Sequence, residues 1–412
     1  MFWTSVTVNL TCFLFLAMAD TDDLHVSVVL PAGGTGERFG SSTPKQFCPV
    51  LDRPIILYTI QNFHTLSYVK HIAVVVSQPY IDYMEELVES HCYNKVMVVR
   101  GAHTRHRSIY NGVKSLKSVL EPSDVVIIHD AVRLFVGESI IHEVAKAAKE
   151  TGAAGVHRPL ISTVIASDGC GYLEESLDRI KYRASEMPQG FIFSVILSAY
   201  EKATDDDFDF GTECLHLALK YAGTKARLVE GPTNLWKVTL RKDIYAAEGI
   251  LKENEMHVQV AGCCDTELVT CLQRDLGARH LKVAVCDSQE TCDLVDTNCT
   301  VYYHTQFDCD AITKYTENLI KEQKKDCHVH LRPFMDKVIV HVIMVGDVMD
   351  CCRNVREVVQ GNSKCWRKKN LLVYFVLSEL KTKMAVVSEM VASVIWTRDP
   401  VMHGQTYMAL DL

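Results

Sequence analysis

The stretch from Leu30 to Gln46, LPAGGTGERFGSSTPKQ, contains residue types that are suited to binding phosphate. It follows the apolar run HVSVVL, so a predicted buried strand leads directly into closely spaced glycines. Glycines let backbone N–H groups converge on a polyanion without obstruction by Cβ atoms. Arg38 adds a planar guanidinium and Lys45 a mobile ammonium, a pair suited to charge that develops on a transferred phosphorus. The stretch predicts a phosphate site, with an ordinary strand-to-helix turn as the alternative.

Spacing excludes two common phosphate-binding loops. A Walker A loop requires G-x-x-x-x-G-K-[ST], and no glycine of the stretch precedes a lysine. A dinucleotide fingerprint requires G-x-G-x-x-G, but Phe39 stands where the third glycine belongs. What remains is a Gly-Gly-x-Gly turn, an arginine, and the tripeptide Pro44-Lys45-Gln46.

Alternating patterns place this stretch in an α/β domain. Val/Ile-rich runs predict parallel strands buried on both faces, at 25–30, 71–77, 95–100 and 124–130. Helix-like segments lie between them, at 54–63, 80–89, 108–120 and 138–150. Residues 158–165, 167–171 and 172–181 then predict a strand, a turn and a return strand. Such a protruding hairpin has edges that a second subunit would cover.

The length of 412 residues favours two domains. Later strand-like runs lie at 280–286, 337–346 and 371–377, before a helix-like segment at 384–396. This second α/β region has neither a G-x-G-x-x-G fingerprint nor a Y-x-x-x-K pair, which predicts a degenerate Rossmann-like module of unknown role. The predicted organisation is a leader at 1–23, a catalytic domain at 24–250, a linker at 251–275 and a C-terminal domain at 276–412.

Composition limits the possible binding partners of the protein and its cellular compartment. The net charge of −8 argues against a nucleic-acid partner, which needs a basic surface. The sixteen cysteines form no C-x-x-C pair, so reduced thiols in the cytosol are expected rather than a secreted disulfide framework. The apolar run at 6–19 has no preceding Lys or Arg and is shorter than the ~20 residues a membrane span needs. A poorly ordered leader is therefore predicted there, with a secretory signal as the alternative and no membrane partner.

The glycine stretch resembles the signature P-A-[AG]-G-x-G-x-R-x-G followed by P-K-Q. This signature belongs to the cytidylyltransferases that act on polyol phosphates, the family of bacterial methylerythritol-phosphate cytidylyltransferase. Residues 101–112, GAHTRHRSIYNG, and 129–133, HDAVR, match later motifs of that family in the same order. The resemblance covers roughly residues 24–250. In detail it resembles the vertebrate branch, which forms CDP-ribitol and has a C-terminal extension.

This resemblance implies a Rossmann-like nucleotidyltransferase fold with a mainly parallel sheet and a β-hairpin arm. It implies that CMP passes from CTP to a phosphorylated polyol, with Mg²⁺ on the CTP phosphates and with Arg38 and Lys45 as catalytic residues. The implied CTP-binding residues are Pro31, Ala32, Gly33, Gly34, Gly36, Gly101, Arg105, Ser108 and Asp130. The implied polyol-phosphate residues are Thr163, Arg179 and Lys237. The first two would serve the neighbouring subunit's site, so a homodimer is expected.

For two of these positions, the sequence itself leaves other roles open. Asp130 follows a buried strand, where ligands bind in open α/β sheets, so ribose contact, metal binding and a simple strand-end cap all remain open. Ser108 heads a helix-like run and is either a ligand contact or an N-cap. Leu134 stands where the family usually has a proline, a departure that affects the loop after Asp130 and leaves the aspartate in place.

Overall fold

The computed structural model describes residues 24–34, 39–40, 43–51, 53–262, 265–286, 297–323 and 336–410. These residues divide into two compact units. The first contains the described residues up to Pro49 together with Pro54–Asp243, and the second contains Val50–Arg53 and the residues from Ile244 onward. The predicted leader at 1–23 lies outside the described residues.

The first unit is built on a seven-stranded sheet with the strand order β11-β7-β10-β6-β1-β4-β5. Its strands are β1 (Val26–Pro31), β4 (Val69–Val76), β5 (Val96–Arg100), β6 (Val125–Ile128), β7 (Ala153–Pro159), β10 (Arg183–Ile192) and β11 (Arg227–Glu230). Two short strands, β2 (Pro49–Val50) and β3 (Arg53–Pro54), come between β1 and β4 along the chain. Only β10 runs antiparallel to its neighbours among these seven strands, so the sheet is mainly parallel, as predicted.

Helices cover both faces of this sheet. They are α1 (Ile55–His64), α2 (Ile81–Ser90), α3 (Arg105–Ser115), α4 (Glu138–Thr151), α5 (Phe193–Lys202), α6 (Asp205–Phe210) and α7 (Cys214–Ala222). Successive strand residues point to opposite faces. On β10, Gly190 lies against Val144 and Ala148 of α4, whereas the next residue, Phe191, joins the core that includes residues of α5 and α7. The unit therefore has three layers.

The predicted hairpin is present as an arm outside the main sheet. Strands β8 (Ile165–Ser167) and β9 (Leu173–Ser176) pair antiparallel to each other. The predicted first strand at 158–165 differs from the structure, because β7 ends at Pro159 within the main sheet and the arm strand begins only at Ile165. Ile161 and Ile180, near the base of the arm, are 80% and 83% exposed.

The second unit contains a six-stranded, wholly parallel sheet with the order β13-β12-β14-β15-β16-β17. Its strands are β12 (His257–Ala261), β13 (Lys282–Cys286), β14 (Cys299–His304), β15 (Lys337–Val345), β16 (Leu371–Glu379) and β17 (Thr406–Ala409). The helices from residue 242 onward are α8 (Lys242–Glu255), α9 (Thr266–Gly277), α10 (Cys309–Gln323), α11 (Val348–Lys368) and α12 (Met384–Thr397). The predicted C-terminal α/β region is confirmed.

The predicted linker at 251–275 is wrong. These residues include the end of α8, all of β12 and most of α9, and β12 lies inside the second sheet between β13 and β14. A strand of five residues gives a weak sequence signal, although four of its residues are buried. The boundary between the two units lies at Asp243 and Ile244 rather than at residue 250.

Candidate functional site

The glycine turn begins where β1 ends and is held by backbone and side-chain hydrogen bonds. Ala32 donates its N–H to the carbonyl of Val75 on β4 at 2.7 Å. The buried amide of Gln46 donates to the carbonyls of Ala32 at 2.6 Å and Gly34 at 3.2 Å. The tripeptide Pro44-Lys45-Gln46 therefore fixes the turn from the far end of the loop. Two predicted residues of the loop, Gly36 and Arg38, lie outside the described residues.

A cavity of about 210 Å³ opens beside this turn. It lies at the carboxyl ends of β1 and β6, where the chain order of the sheet reverses and where ligands bind in open α/β sheets. Nine of the predicted site residues line it: Pro31, Ala32, Gly33, Gly34, Lys45, Arg105, Ser108, Asp130 and Lys237.

Asp130 is the electrostatic centre of this cavity. Its side chain is 5% exposed and accepts Arg105 Nη1 on Oδ1 at 2.7 Å. Its other oxygen, Oδ2, accepts Arg133 Nε at 2.9 Å and lies 3.3 Å from Lys237 Nζ. Asp130 is therefore not a simple strand-end cap, because it brings together cations from three separate parts of the chain.

The charges set the protonation state of this cluster. Burial alone raises the pKa of Asp130, but the positive charges of Arg105, Lys237 and Arg133 outweigh it and hold that pKa far below its usual range. Burial lowers the pKa of Lys237, and Asp130 opposes that change. Asp130 is ionised at neutral pH, and its carboxylate offsets the repulsion between three nearby cations.

The segment from Leu235 to Val238 borders the cavity. Of its residues, only Lys237 was predicted from the sequence to be a site residue. The Leu235 carbonyl accepts from the guanidinium of Arg133. Val238 donates its N–H to the carbonyl of Val132 at 3.0 Å. Its own carbonyl accepts from Lys45 Nζ at 3.0 Å. Lys45 and Lys237 are thus both positioned by this segment.

Ser108 is not the head of its helix, contrary to the prediction. Helix α3 begins at Arg105 with Thr104 as its N-cap, so Ser108 lies one turn inside. The Ser108 hydroxyl donates to the Ala102 carbonyl at 3.1 Å and accepts the Ala102 N–H at 3.0 Å. Gly101 approaches β4 closely, since a Cβ there would lie 3.1 Å from the Val76 carbonyl oxygen, a tighter contact than most Cβ atoms make. Gly101 and Ser108 together hold the loop that forms this wall.

Thr163 and Arg179 do not join the cavity within this chain. Both are exposed on the arm, and Arg179 donates from Nη1 to the carbonyl of Ile161 at 3.0 Å. Neither residue lines the cavity.

Sequence reasoning missed a set of charged residues that connects the cavity to the base of the arm. Arg133 binds Glu186 on β10 as well as Asp130. Glu186 also accepts Arg158 Nη2 at 3.0 Å, at the end of β7 where the chain leaves for the arm. Arg133 lies in the quoted motif HDAVR, but Glu186 is distant in sequence, so only the fold brings them together. The replacement of proline by Leu134 leaves a buried side chain, and its carbonyl accepts Asn62 Nδ2 at 2.7 Å.

Glu213 and the segment 184–189 meet in the structure. Glu213 caps α7 by accepting the Leu215 N–H, and it accepts Ser185 Oγ at 2.7 Å and Gln189 Nε2 at 2.6 Å. These contacts join the start of α7 to β10.

Asp130 does not fit the expected role of metal ligand. Both carboxylate oxygens already contact cationic side chains at 2.7–3.3 Å, so a divalent ion there would meet three positive charges. Within the part of the chain that the structure describes, no group of three or more His, Cys, Asp or Glu residues is arranged to hold a metal ion. Among the same residues, no helix is long and apolar enough to cross a membrane.

A glycine turn and converging cations at the switch point of a parallel sheet define an α/β protein with a site for a phosphorylated ligand. Comparison with known proteins identifies the family. The family model described as "IspD: 2-C-methyl-D-erythritol 4-phosphate cytidylyltransferase" matches residues 26–253. The chain belongs to this family.

Two vertebrate relatives and one solved structure illustrate the similarity. D-ribitol-5-phosphate cytidylyltransferase of Xenopus tropicalis is 54% identical over 234 residues, which cover 55% of this chain and 57% of that protein. The protein of the same name from Homo sapiens is 50% identical over 247 residues, covering 59% and 54%. The chain thus matches little more than half the length of these relatives. The crystal structure of 4-diphosphocytidyl-2C-methyl-D-erythritol synthase from Anaerococcus prevotii has 24% identity and a TM-score of 0.47, covering 56% of this chain and 99% of that one.

Proposed function

We propose that this protein transfers CMP from CTP to D-ribitol 5-phosphate and releases CDP-ribitol and pyrophosphate. Membership of the family and the names of the vertebrate relatives support this reaction. The observation that carries the proposal is the cavity at the ends of β1 and β6, where Lys45, Arg105 and Lys237 converge beside a glycine turn. Of these groups, Lys45 and Lys237 can supply positive charge to a triphosphate and to a second phosphate in one site.

The chemistry needs positioning and charge rather than a general base. A phosphate oxygen of the acceptor is already largely ionised near neutral pH, since its second pKa is about 6. It forms a bond to the α-phosphorus of CTP while the bond from that phosphorus to the bridging oxygen breaks in line. Pyrophosphate leaves with those electrons. Because the attacking oxygen is already ionised, the proposed mechanism needs no Ser/His/Asp set.

Lys45 has the central catalytic role in this proposal. Its ammonium lines the cavity and is held by the Val238 carbonyl, so it is preorganised for the charge that develops on the transferred phosphorus. Arg38 is proposed to share this role. The glycine turn, with Pro31, Ala32, Gly33, Gly34 and Gly36, is proposed to hold the triphosphate.

The remaining residues are proposed to select the two substrates. Gly101, Arg105 and Ser108 face the cytidine, with Asp130 contacting the ribose or fixing Arg105 and Lys237 from behind. Lys237 binds the acceptor phosphate. Thr163 and Arg179 complete the acceptor site from the arm of a second copy, because within one chain they stand apart from the cavity. A homodimer is therefore part of the proposal.

A divalent cation such as Mg²⁺ is proposed to be held by the CTP phosphates rather than by Asp130. Mg²⁺ commonly keeps several waters and binds substrate phosphates, which suits a cavity where Asp130, the one carboxylate among the described lining residues, is already paired. We also propose that the protein acts in the cytosol, where it supplies ribitol phosphate for O-mannosyl glycans such as that of α-dystroglycan. None of the described cysteines is in a disulfide, which is compatible with that compartment.

Pyrophosphate release with a panel of substrates tests the reaction. CTP, UTP and GTP would each be combined with D-ribitol 5-phosphate, 2-C-methyl-D-erythritol 4-phosphate and a sugar 1-phosphate. We expect turnover with CTP and ribitol 5-phosphate at the highest kcat/KM. The description of the family model favours methylerythritol phosphate as the second candidate acceptor, and preference for it would refute the ribitol assignment. No turnover with any pair would support a third possibility, a nucleotide-binding scaffold without catalysis.

A further inference from the structure

The second unit has its own switch point in a parallel sheet. Strand β12 comes first in this sheet and pairs with β13 on one side and β14 on the other. The chain therefore turns in opposite directions after β12 and after β13, which leaves a crevice outside the carboxyl ends of β12 and β14. These two strands end at Ala261 and His304.

A cavity of about 290 Å³ lies at this point. Gly262 follows β12 and lines one side, and residues 303–306 together with Asp308, at and after the end of β14, line another. Tyr315 of α10 closes a further side, and its ring stacks on Tyr302 at 4.7 Å with an angle of 10° between the planes. The volume is close to the lower end of the range for small-molecule sites, which is about 300 Å³.

A buried pair of histidines supports the polar wall of this cavity. His304 lines the cavity and is 7% exposed, and its Nε2 lies 3.0 Å from Nδ1 of the fully buried His341. Burial lowers the pKa of both rings, that of His304 to about 4, so both are neutral at pH 7. His304 therefore adds no positive charge to the site.

The pair also fixes the position of the His304 proton. Nε2 of His341 is buried and has no hydrogen-bond partner among the described residues. An orphaned N–H is rarer than an unmatched acceptor, so we assign the His341 proton to Nδ1, which donates to Nε2 of His304. The proton of His304 is then on its own Nδ1. His304 is thereby fixed as a neutral hydrogen-bond donor at the site.

The lining residues define the class of ligand. No Lys or Arg is among the described residues that line this cavity, and the one carboxylate, Asp308, would repel an anion. Oδ1 of Asp308 accepts the Ala311 N–H at 2.9 Å at the start of α10. Thr305 and Gln306 offer a hydroxyl and an amide. Neutral donors and acceptors beside an aromatic wall suit hydroxyl groups on a carbon skeleton, rather than a phosphate.

We propose that the second unit binds an uncharged, hydroxyl-rich small molecule, a polyol or a sugar ring, at the switch point between β12 and β14. His304, Thr305, Gln306 and Asp308 hydrogen-bond its hydroxyl groups, and Tyr315 packs against its C–H face. This site is separate from the cavity of the first unit, with which it shares no lining residue.

Saturation-transfer NMR on the full chain tests this site, with ribitol and methyl β-D-ribofuranoside as neutral probes and methyl phosphate and choline as charged comparators. At about 10 mM probe, a Kd of about 1 mM gives nearly full occupancy. Two variants remove donors from the cavity: Thr305→Val, and His304→Phe, which keeps a ring in the stack. Thr270→Val is the matched control, because Thr270 is exposed on α9 and does not line the cavity.

We expect a signal from at least one neutral probe in wild type and in Thr270→Val, and a loss of affinity of about fivefold or more in each cavity variant. The signal should persist in Lys45→Ala, which alters only the first unit's cavity. No signal from either neutral probe, equal affinity in all variants, loss of the signal in Lys45→Ala, or binding of methyl phosphate or choline with the same sensitivity to Thr305→Val would each overturn the proposal. If His304→Phe fails to fold, Thr305→Val decides, since Thr305 is exposed at the cavity surface.

Discussion

At the scale of single residues, Asp130 determines whether three cations can lie together. Arg105, Arg133 and Lys237 belong to a helix, a loop and a distant segment, and each contacts the same carboxylate. Without that negative charge, their mutual repulsion would oppose the closed arrangement of the cavity. Asp130 is therefore a residue of the fold as well as of the site.

Asp130→Asn tests this role through stability. Removing one partner of a buried ion pair leaves uncompensated charge and costs about 3–5 kcal/mol. The pKa of Asp130 is lowered in the folded state, so its contribution is present above the unfolded value of about 4 and is lost as the pH falls below it. In urea denaturation, we expect Asp130→Asn to lower the free energy of unfolding strongly at pH 7 and less strongly below pH 4. Asp209→Asn, at an exposed pair with Arg107, should change the midpoint far less; equal effects of the two variants would contradict this role.

His106 gives a separate pH dependence. Burial lowers its pKa to about 4, and its Nδ1 lies 2.9 Å from the Tyr200 hydroxyl. The pKa of His106 in the folded state lies below the unfolded value of about 6.5. Its neutral ring therefore contributes fully to the free energy of unfolding above pH 6.5, and this contribution is lost as the pH falls towards 4.

His106→Asn removes the titrating ring and offers an amide to Tyr200. We expect the loss of stability between pH 7 and pH 5 to be smaller in this variant than in wild type, as measured by urea midpoints. The exposed His216→Asn serves as the control and should behave as wild type. An unchanged pH dependence in His106→Asn would rule out this assignment.

At the scale of elements, the close approach of α3 to the sheet positions the cavity wall. Gly112 of α3 leaves room for only the backbone there, since a Cβ would lie 2.5 Å from Val29 Cγ1 and 2.8 Å from Val75 Cγ2. Both valines are β-branched and stiff, so neither moves aside easily. The helix that carries Arg105 and Ser108 is thus held close to β1 and β4.

Gly112→Ala and Gly249→Ala form a matched pair of helix substitutions. Alanine is favoured over glycine in a helix by about 1 kcal/mol, but overpacking a core costs about 1–3 kcal/mol. We expect Gly112→Ala to lower the unfolding midpoint in urea. Gly249→Ala in α8 should raise it or leave it unchanged, because nothing lies within 4 Å of the added Cβ. Stabilisation by both substitutions would show that α3 is free to move away from the sheet.

Elements with a strong apolar pattern were predictable from sequence, and those with short or mixed patterns were not. The runs at 25–30 and 371–377 became β1 (Val26–Pro31) and β16 (Leu371–Glu379), because continuous Val/Ile/Leu sequences suit fully buried parallel strands. Strand β12 was missed, because its five residues contain two polar side chains, His257 and Gln259. Pairing partners such as Glu186 and Arg133 could not be predicted, since their contact depends on the order of the strands in the sheet.

At the scale of the whole molecule, the arm exposes several large apolar side chains. Tyr172, Leu173 and Ile180 are 74%, 66% and 83% exposed, which is unusual for large apolar side chains on a small hairpin. The Arg133–Glu186–Arg158 chain links the base of this arm to Asp130. An arm that binds a second copy would therefore be coupled to the site in its own chain.

Ile180→Asp tests the proposed homodimer. We expect wild type to have the mass of two chains in sedimentation equilibrium, and this variant to have the mass of one, with reduced turnover because Thr163 and Arg179 no longer reach a partner. Val119→Asp is the control, at an exposed apolar position away from the arm. A wild-type mass of one chain would refute the dimer.

The most direct test of the account is a comparison of turnover and CTP affinity in Lys45→Ala. Stabilisation of the developing charge predicts a fall in kcat of about 100-fold or more, with a change in CTP Kd below about tenfold. Lys70→Ala, at an exposed lysine bonded to Ser67, should match wild type in both measurements. Unchanged turnover in Lys45→Ala, or a loss that lies wholly in CTP binding, would contradict the proposed role of the glycine loop and its lysine.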